Sequence, residues 1–216
     1  MKHIFQKGAD TTPVTLLLLH GTGGTEYDLL PLAERIDPSA AVLSVRGNVR
    51  ENGMPRFFRR LAEGVFDEAD LLFRTHELYD FLQQAAEMYQ FDRRHIVAVG
   101  YSNGANIAAS MMFHIPHALK GAILHHPMVP RRGVTLPDLS GTPVFIGAGR
   151  NDPLCPVQES EELARLLAGA GAHVYVHWEA AGHQLTAAEA AAAQQWYQQH
   201  VANPGKERGT GSSFSG

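Results

Sequence analysis

The chain has 216 residues, which on a prior of about 150 residues per domain suits one large domain with a sizeable core. Its 44% hydrophobic, 19% charged and 8% aromatic residues are those of an ordinary globular protein and exclude disordered, collagenous and coiled-coil classes. A formal charge of -4 lacks the basic excess that gathers phosphates, so nucleic acid is not an expected partner.

The apolar run from Val14 to Leu19 is far too short to span a bilayer, and no apolar stretch follows Met1 and Lys2. Neither stable membrane association nor a signal peptide is expected. The lone Cys155 cannot form an intrachain disulfide, which suits a reducing compartment. A cytoplasmic protein is the expectation.

In chain order, short runs rich in Val, Ile and Leu predict strands at Thr15 to Leu19, Ala41 to Val45, His95 to Val99, Gly121 to His125, Val144 to Gly147 and His173 to Trp178. Such runs suit strands buried on both faces. Between them, Leu71, Leu78, Leu82 and Ala85 near one face predict a helix over Glu68 to Tyr89. A second helix, Val157 to Leu167, is entered through Pro156. A third, Thr186 to His200, opens with Thr186 and Glu189 in capping-box spacing. The alternation predicts an α/β fold with a mostly parallel sheet flanked by helices. One domain is expected over residues 1–203, and the Gly- and Ser-rich tail, 204–216, is expected to contribute nothing to the core.

Chemistry in such sheets gathers beyond the carboxyl ends of the strands. There Gly100-Tyr101-Ser102-Asn103-Gly104 follows a strand and precedes a helix rich in small residues, the setting of a nucleophile elbow. A serine hydroxyl needs a base, and the base an orienting group. Asp152 follows the strand ending at Gly147, and His183 follows the strand ending at Trp178, giving the chain order Ser, Asp, His. The first long strand ends in His20-Gly21-Thr22-Gly23-Gly24, so the Thr22 and Asn103 amides are the candidate oxyanion donors. Read instead as a dinucleotide fingerprint, Gly21-x-Gly23 meets Glu26 at the third glycine position, where its charge would repel a pyrophosphate.

These motifs resemble the α/β-hydrolases of the carboxylesterase, phospholipase and acyl-thioesterase group over about residues 4 to 200. Arg46-Gly47-Asn48-Val49, Glu51-Asn52-Gly53-Met54-Pro55-Arg56 and His125-His126-Pro127-Met128-Val129-Pro130 look like bacterial hydrolases induced by methylhydroquinone. The resemblance implies Ser102 as nucleophile, His183 as base and Asp152 as orienter. Dienelactone hydrolases share the fold but resemble the chain less, since their nucleophile is cysteine and this position holds Ser102.

Other chemistry is less well supported. Cys155, between Leu154 and Pro156 at a helix entrance, reads as a small structural residue. His173 and His177 would stand about 13 Å apart on a strand, His125 and His126 would face opposite ways, and Pro116 interrupts His114 to His117, so neither a metal nor a cofactor is expected. Phe57 and Phe58, in a loop after the second strand, either line the substrate pocket or anchor that loop in the core. His126 either approaches the site or is a satisfied structural histidine.

With only about 17 residues between His126 and Val144, no cap domain fits and the site should be open to solvent. The expected activity is hydrolysis of small or short-acyl carboxylic esters through an acyl-Ser102 intermediate. A thioesterase or lysophospholipase and a hydrolase of quinone-derived adducts are the alternatives. A catalytically idle binding protein is the reading from a different class, because fold does not dictate function. The expected partner is a small-molecule ester, with a homodimer left open.

Overall fold

The computed structural model describes residues 1–10 and 12–202; the expected tail lies outside them. Seven strands form one sheet: β1 (His3–Gln6), β2 (Thr15–Leu19), β3 (Ala41–Val45), β8 (Ile96–Tyr101), β9 (Gly121–His125), β10 (Pro143–Gly149) and β11 (His173–Glu179). Their order is β1-β3-β2-β8-β9-β10-β11. All neighbours are parallel except β1, which runs antiparallel along β3.

Period-two alternation explains why β2 is apolar without interruption. Leu17 and Leu19 face one cluster, which includes Leu71, Leu78 and Leu82 of α2 (Glu68–Tyr89), Ile107 of α3 (Asn103–His114) and Leu163 of α4 (Val157–Gly169). Leu16 and Leu18 face the other, with Leu32 and Ile36 of α1 (Leu30–Ile36) and Trp196 of α5 (Ala187–Tyr197). Helices on both faces of a mostly parallel sheet give the expected α/β architecture.

The strand–helix alternation stands as expected, with two differences. The edge strand β1 and the seven-residue helix α1 were not anticipated. The expected loop after β3 contains two hairpins, β4 (Val49–Glu51) with β5 (Met54–Arg56) and β6 (Arg60–Ala62) with β7 (Val65–Phe66).

Candidate active site

The chain runs outward in one direction from β2 to β3 and in the other from β8 to β11, so the order switches between β2 and β8. The crevice beyond their carboxyl ends is where an open α/β sheet binds its ligand. Ser102 stands there between β8 and α3 at φ 51° and ψ -113°, a backbone conformation costly for a residue with a Cβ. Its N–H donates to His125 O at 2.8 Å, which holds the turn against that strain. Gly104 lets the helix start this close: a Cβ there would lie 1.9 Å from Leu19 O.

The loops after β10 and β11 travel together. Arg150 N–H donates to Glu179 O at 2.8 Å and Asn151 N–H to Ala181 O at 3.0 Å, so the parallel ladder extends past both strands and brings Asp152 beside His183. Tyr101 Oη donates to His183 O at 2.7 Å and fixes that backbone.

His183 Nδ1 lies 2.7 Å from Asp152 Oδ2 and its Nε2 lies 2.9 Å from Ser102 Oγ. Burial pushes the Asp152 carboxyl up, but the Cys155 N–H, His183 and the Leu154 N–H outweigh it and hold it below the ordinary carboxylate range. An ionised carboxylate only accepts, so Nδ1 carries the proton and the neutral ring presents a bare Nε2 to the serine hydroxyl. Asp152 Oδ1 accepts the Leu154 and Cys155 N–H groups at 2.8 and 2.9 Å.

The loop after β2 is braced from behind. His20 donates from Nδ1 to Gly21 O at 2.6 Å and accepts the Gly47 N–H on Nε2 at 3.1 Å; burial pushes its pKa down, favouring that neutral tautomer. Gly23 N–H donates to Pro55 O at 2.9 Å and Gly24 N–H to Gly21 O at 3.0 Å, while the Thr22 N–H has no partner among the described residues. The Thr22 hydroxyl accepts from Arg56 Nη1 at 2.6 Å. Asn103 opens α3, where an N–H has no intrahelical acceptor, and its side-chain Oδ1 accepts the Phe57 N–H at 2.7 Å.

A cavity of about 360 Å³ opens on these groups, near the small end of the roughly 300–1,000 Å³ typical of ligand pockets. Thr22, Ser102, Asn103 and His183 meet it, with Phe66, Met128 and Leu154 as apolar walls and Arg56, Arg60 and Glu63 at the hairpins. Phe57 and Phe58 are not among its walls: they are 1% and 0% exposed in the core. Their neighbours Arg56 and Arg60 do line the cavity; the three residues between β5 and β6 follow no strand alternation, and both phenylalanines turn into the core. His126 is also absent from the wall, fully buried with both ring nitrogens on carboxylates.

Glu189, which holds one of those nitrogens, was not anticipated as a site neighbour. Its helix-start position signals only a cap, and no local pattern announces a carboxylate turned inward. His126, Asp152 and His183 place potential ligand atoms within 4.8 Å of one another, but those atoms are already joined by hydrogen bonds through Asp152 Oδ2. Cys155 borders the cavity with its thiol pushed up by burial and by Asp152 and Glu159, which keeps it un-ionised.

The dienelactone hydrolase family model matches residues 59–206, more than half of the chain. The chain belongs to the dienelactone hydrolase family. Its match includes Ser102, the residue that made this family look the more distant one from the motifs alone. The Bacillus subtilis (strain 168) protein MhqD is 62% identical over 201 residues, 93% of this chain and all of its own. A Bacillus cereus carboxylesterase structure is similar at a TM-score of 0.91 and 67% identity, covering 92% of this chain and 93% of that one. YahD, solved with malic acid, is 32% identical at a TM-score of 0.88, covering 92% and 98%. Membership in this family makes the chain an esterase-type hydrolase. No helix among the described residues is long and apolar enough to cross a membrane.

Proposed function

We propose that the protein is a serine hydrolase that cleaves small carboxylic esters through an acyl-Ser102 intermediate. The observation that carries this reading is the run of contacts from Ser102 Oγ to His183 Nε2, 2.9 Å, and from His183 Nδ1 to Asp152 Oδ2, 2.7 Å, at the mouth of the cavity.

Ser102 Oγ attacks the ester carbonyl carbon while His183 Nε2 takes its proton, and Asp152 keeps the ring in the tautomer that can do so. The oxygen that gains charge is met by the Thr22 and Asn103 N–H groups, which are oriented before the reaction begins. Collapse breaks the carbon–oxygen bond to the alcohol, and His183 returns its proton to that departing oxygen. Water, deprotonated by the same ring, then frees the acid and restores Ser102. The cation formed on His183 is stabilised by Asp152, which stays ionised throughout.

Cavity size and composition favour a short acyl group held against Phe66, Met128 and Leu154. Incubation with a fluorophosphonate, followed by peptide mapping, tests the reading. Modification on Ser102 alone is expected; an unmodified Ser102 in folded protein would overturn it and favour a binding protein.

A further inference from the structure

Asp152 Oδ2 has a second partner that ester hydrolysis by a serine triad does not require. His126 Nδ1 lies 3.0 Å from that oxygen, and its Nε2 lies 3.1 Å from Glu189 Oε2. Glu189 Oε1 in turn accepts from His125 Nδ1. The side chains of His125, His126, Asp152 and Glu189 are all 0% exposed.

Several local features hold this cluster together. His126 sits at φ 52°, a left-handed conformation stabilised by its N–H on Gly147 O at 2.7 Å. Glu189 donates its own N–H to Thr186 Oγ1 at 3.0 Å, but its carboxylate runs to the histidines, not back to the Thr186 N–H as a capping box requires. Gly147 makes the space, since a Cβ there would stand 2.0 Å from Glu189 Oε1.

The protonation state follows from the contacts. Ionised carboxylates only accept, and a neutral imidazole carries one N–H. His126 can donate to Asp152 and Glu189 together only as an imidazolium. Burial favours its neutral ring, but Glu189 and Asp152 outweigh that and raise its pKa. Burial likewise pushes Glu189 up, and His125 and His126 reverse it to about 2. His125 Nε2 has no partner among the described residues, so a cation on that ring would bury an unpaired N–H; the neutral form leaves only a lone pair. The remaining groups about His126 are the His183 ring at 5.2 Å, the Tyr101 ring at 5.9 Å and the Cys155 thiol on its carbonyl at 3.2 Å.

We propose that His126 is a positioning residue of the hydrolytic site, an imidazolium that clamps Asp152 opposite His183 with Glu189 as its counter-ion. The proposal rests on the serine-triad reading above. At rest two carboxylates face one cation, and the proton that His183 takes from Ser102 supplies the second. Glu189 offsets the His126 charge, so that cation opposes the new one on His183 only weakly, and what the clamp contributes is geometric. Sharing Oδ2 restrains Asp152 from rotating, so His183 is aimed by a carboxylate gripped from two sides.

The test joins a spectrum with a pH profile. In the full chain labelled with 15N-histidine, the His126 ring is expected to show two protonated nitrogens at pH 7. His126→Gln is expected to lower kcat on p-nitrophenyl butyrate about tenfold or more with KM nearly unchanged, because the residue acts through Asp152 and not on the substrate. The acid limb of its kcat/KM profile should move to higher pH, since the cation opposing Asp152 is gone. A bare nitrogen on wild-type His126 at pH 7 overturns the proposal, as does a folded His126→Gln enzyme with unchanged kcat and acid limb. Should that variant fail to fold, the wild-type spectrum decides. Fluorophosphonate labelling of wild-type Ser102 reports separately on the triad reading, so its failure is distinguishable from a neutral His126.

Discussion

Arg56 Nη1 donates to Thr22 Oγ1 at 2.6 Å, tying the hairpin β4–β5 to the loop that carries the proposed oxyanion donor. The next residue repeats the device, with the Phe57 N–H on Asn103 Oδ1 at 2.7 Å. One short segment thus holds both residues of the proposed oxyanion hole. Thr22→Val keeps the main-chain donor but removes the hydroxyl, so it should lower kcat by about tenfold, less than the roughly 10²–10³ that follows loss of a donor itself. Steady-state kinetics reads this, and an unchanged kcat would remove Arg56 from the positioning of the hole.

The cavity walls set a second expectation. Each methylene buried adds about 0.8 kcal/mol, so a deep apolar tunnel would favour long acyl chains by orders of magnitude. The cavity sets few apolar walls, Phe66, Met128 and Leu154, beside the charged Arg56, Arg60 and Glu63, so it offers little apolar surface for that gain beyond a short chain. Across p-nitrophenyl esters, kcat/KM should peak at acyl groups of about two to six carbons. Phe66→Ala or Leu154→Ala should shift the peak, whereas Phe58→Ala, deep in the core, should cost about 3–5 kcal/mol of stability and leave the preference alone. A peak beyond about ten carbons would contradict the assignment of these walls.

Stability should depend on pH through the cluster at Asp152. Glu189 is depressed from its ordinary 4.5 to about 2 and Asp152 is depressed from 3.8; their contribution is complete above the unfolded values and is lost as pH falls toward 2. His126 is raised from 6.5, so its contribution is complete below that value and is lost as pH rises through the folded one. Stability from this cluster should be greatest between about 4.5 and 6.5. Melting temperatures of wild type and Glu189→Gln across pH 2 to 9 would show it: the variant should lose less on the acid side. Parallel curves would remove Glu189 from the linkage.

The sheet was legible where burial on both faces leaves little choice of residue. Strands over Thr15–Leu19, Ala41–Val45 and Gly121–His125 fall at the expected bounds. The edge strand His3–Gln6 escaped notice because it is half-exposed and mixes polar with apolar residues. The hairpins at 49–66 have strands of two or three residues, too short for a period to register. The positions of Ser102, Asp152 and His183 were legible because each lies within four residues of a strand's carboxyl end. The environments of Phe57, Phe58, His126 and Glu189 were not, because they depend on contacts across 26 to 63 residues, as between His126 and its two carboxylates, or, for the phenylalanines, on a connection between two short hairpins that has no period to read.

If Ser102 carries the acyl group, the decisive quantity is kcat of Ser102→Ala on p-nitrophenyl butyrate, with folding verified by its melting curve. A loss of about 10⁴-fold or more is expected, to a residual rate that an intact oxyanion hole still holds above the uncatalysed one. A folded Ser102→Ala protein that retains more than about a tenth of wild-type activity would contradict it.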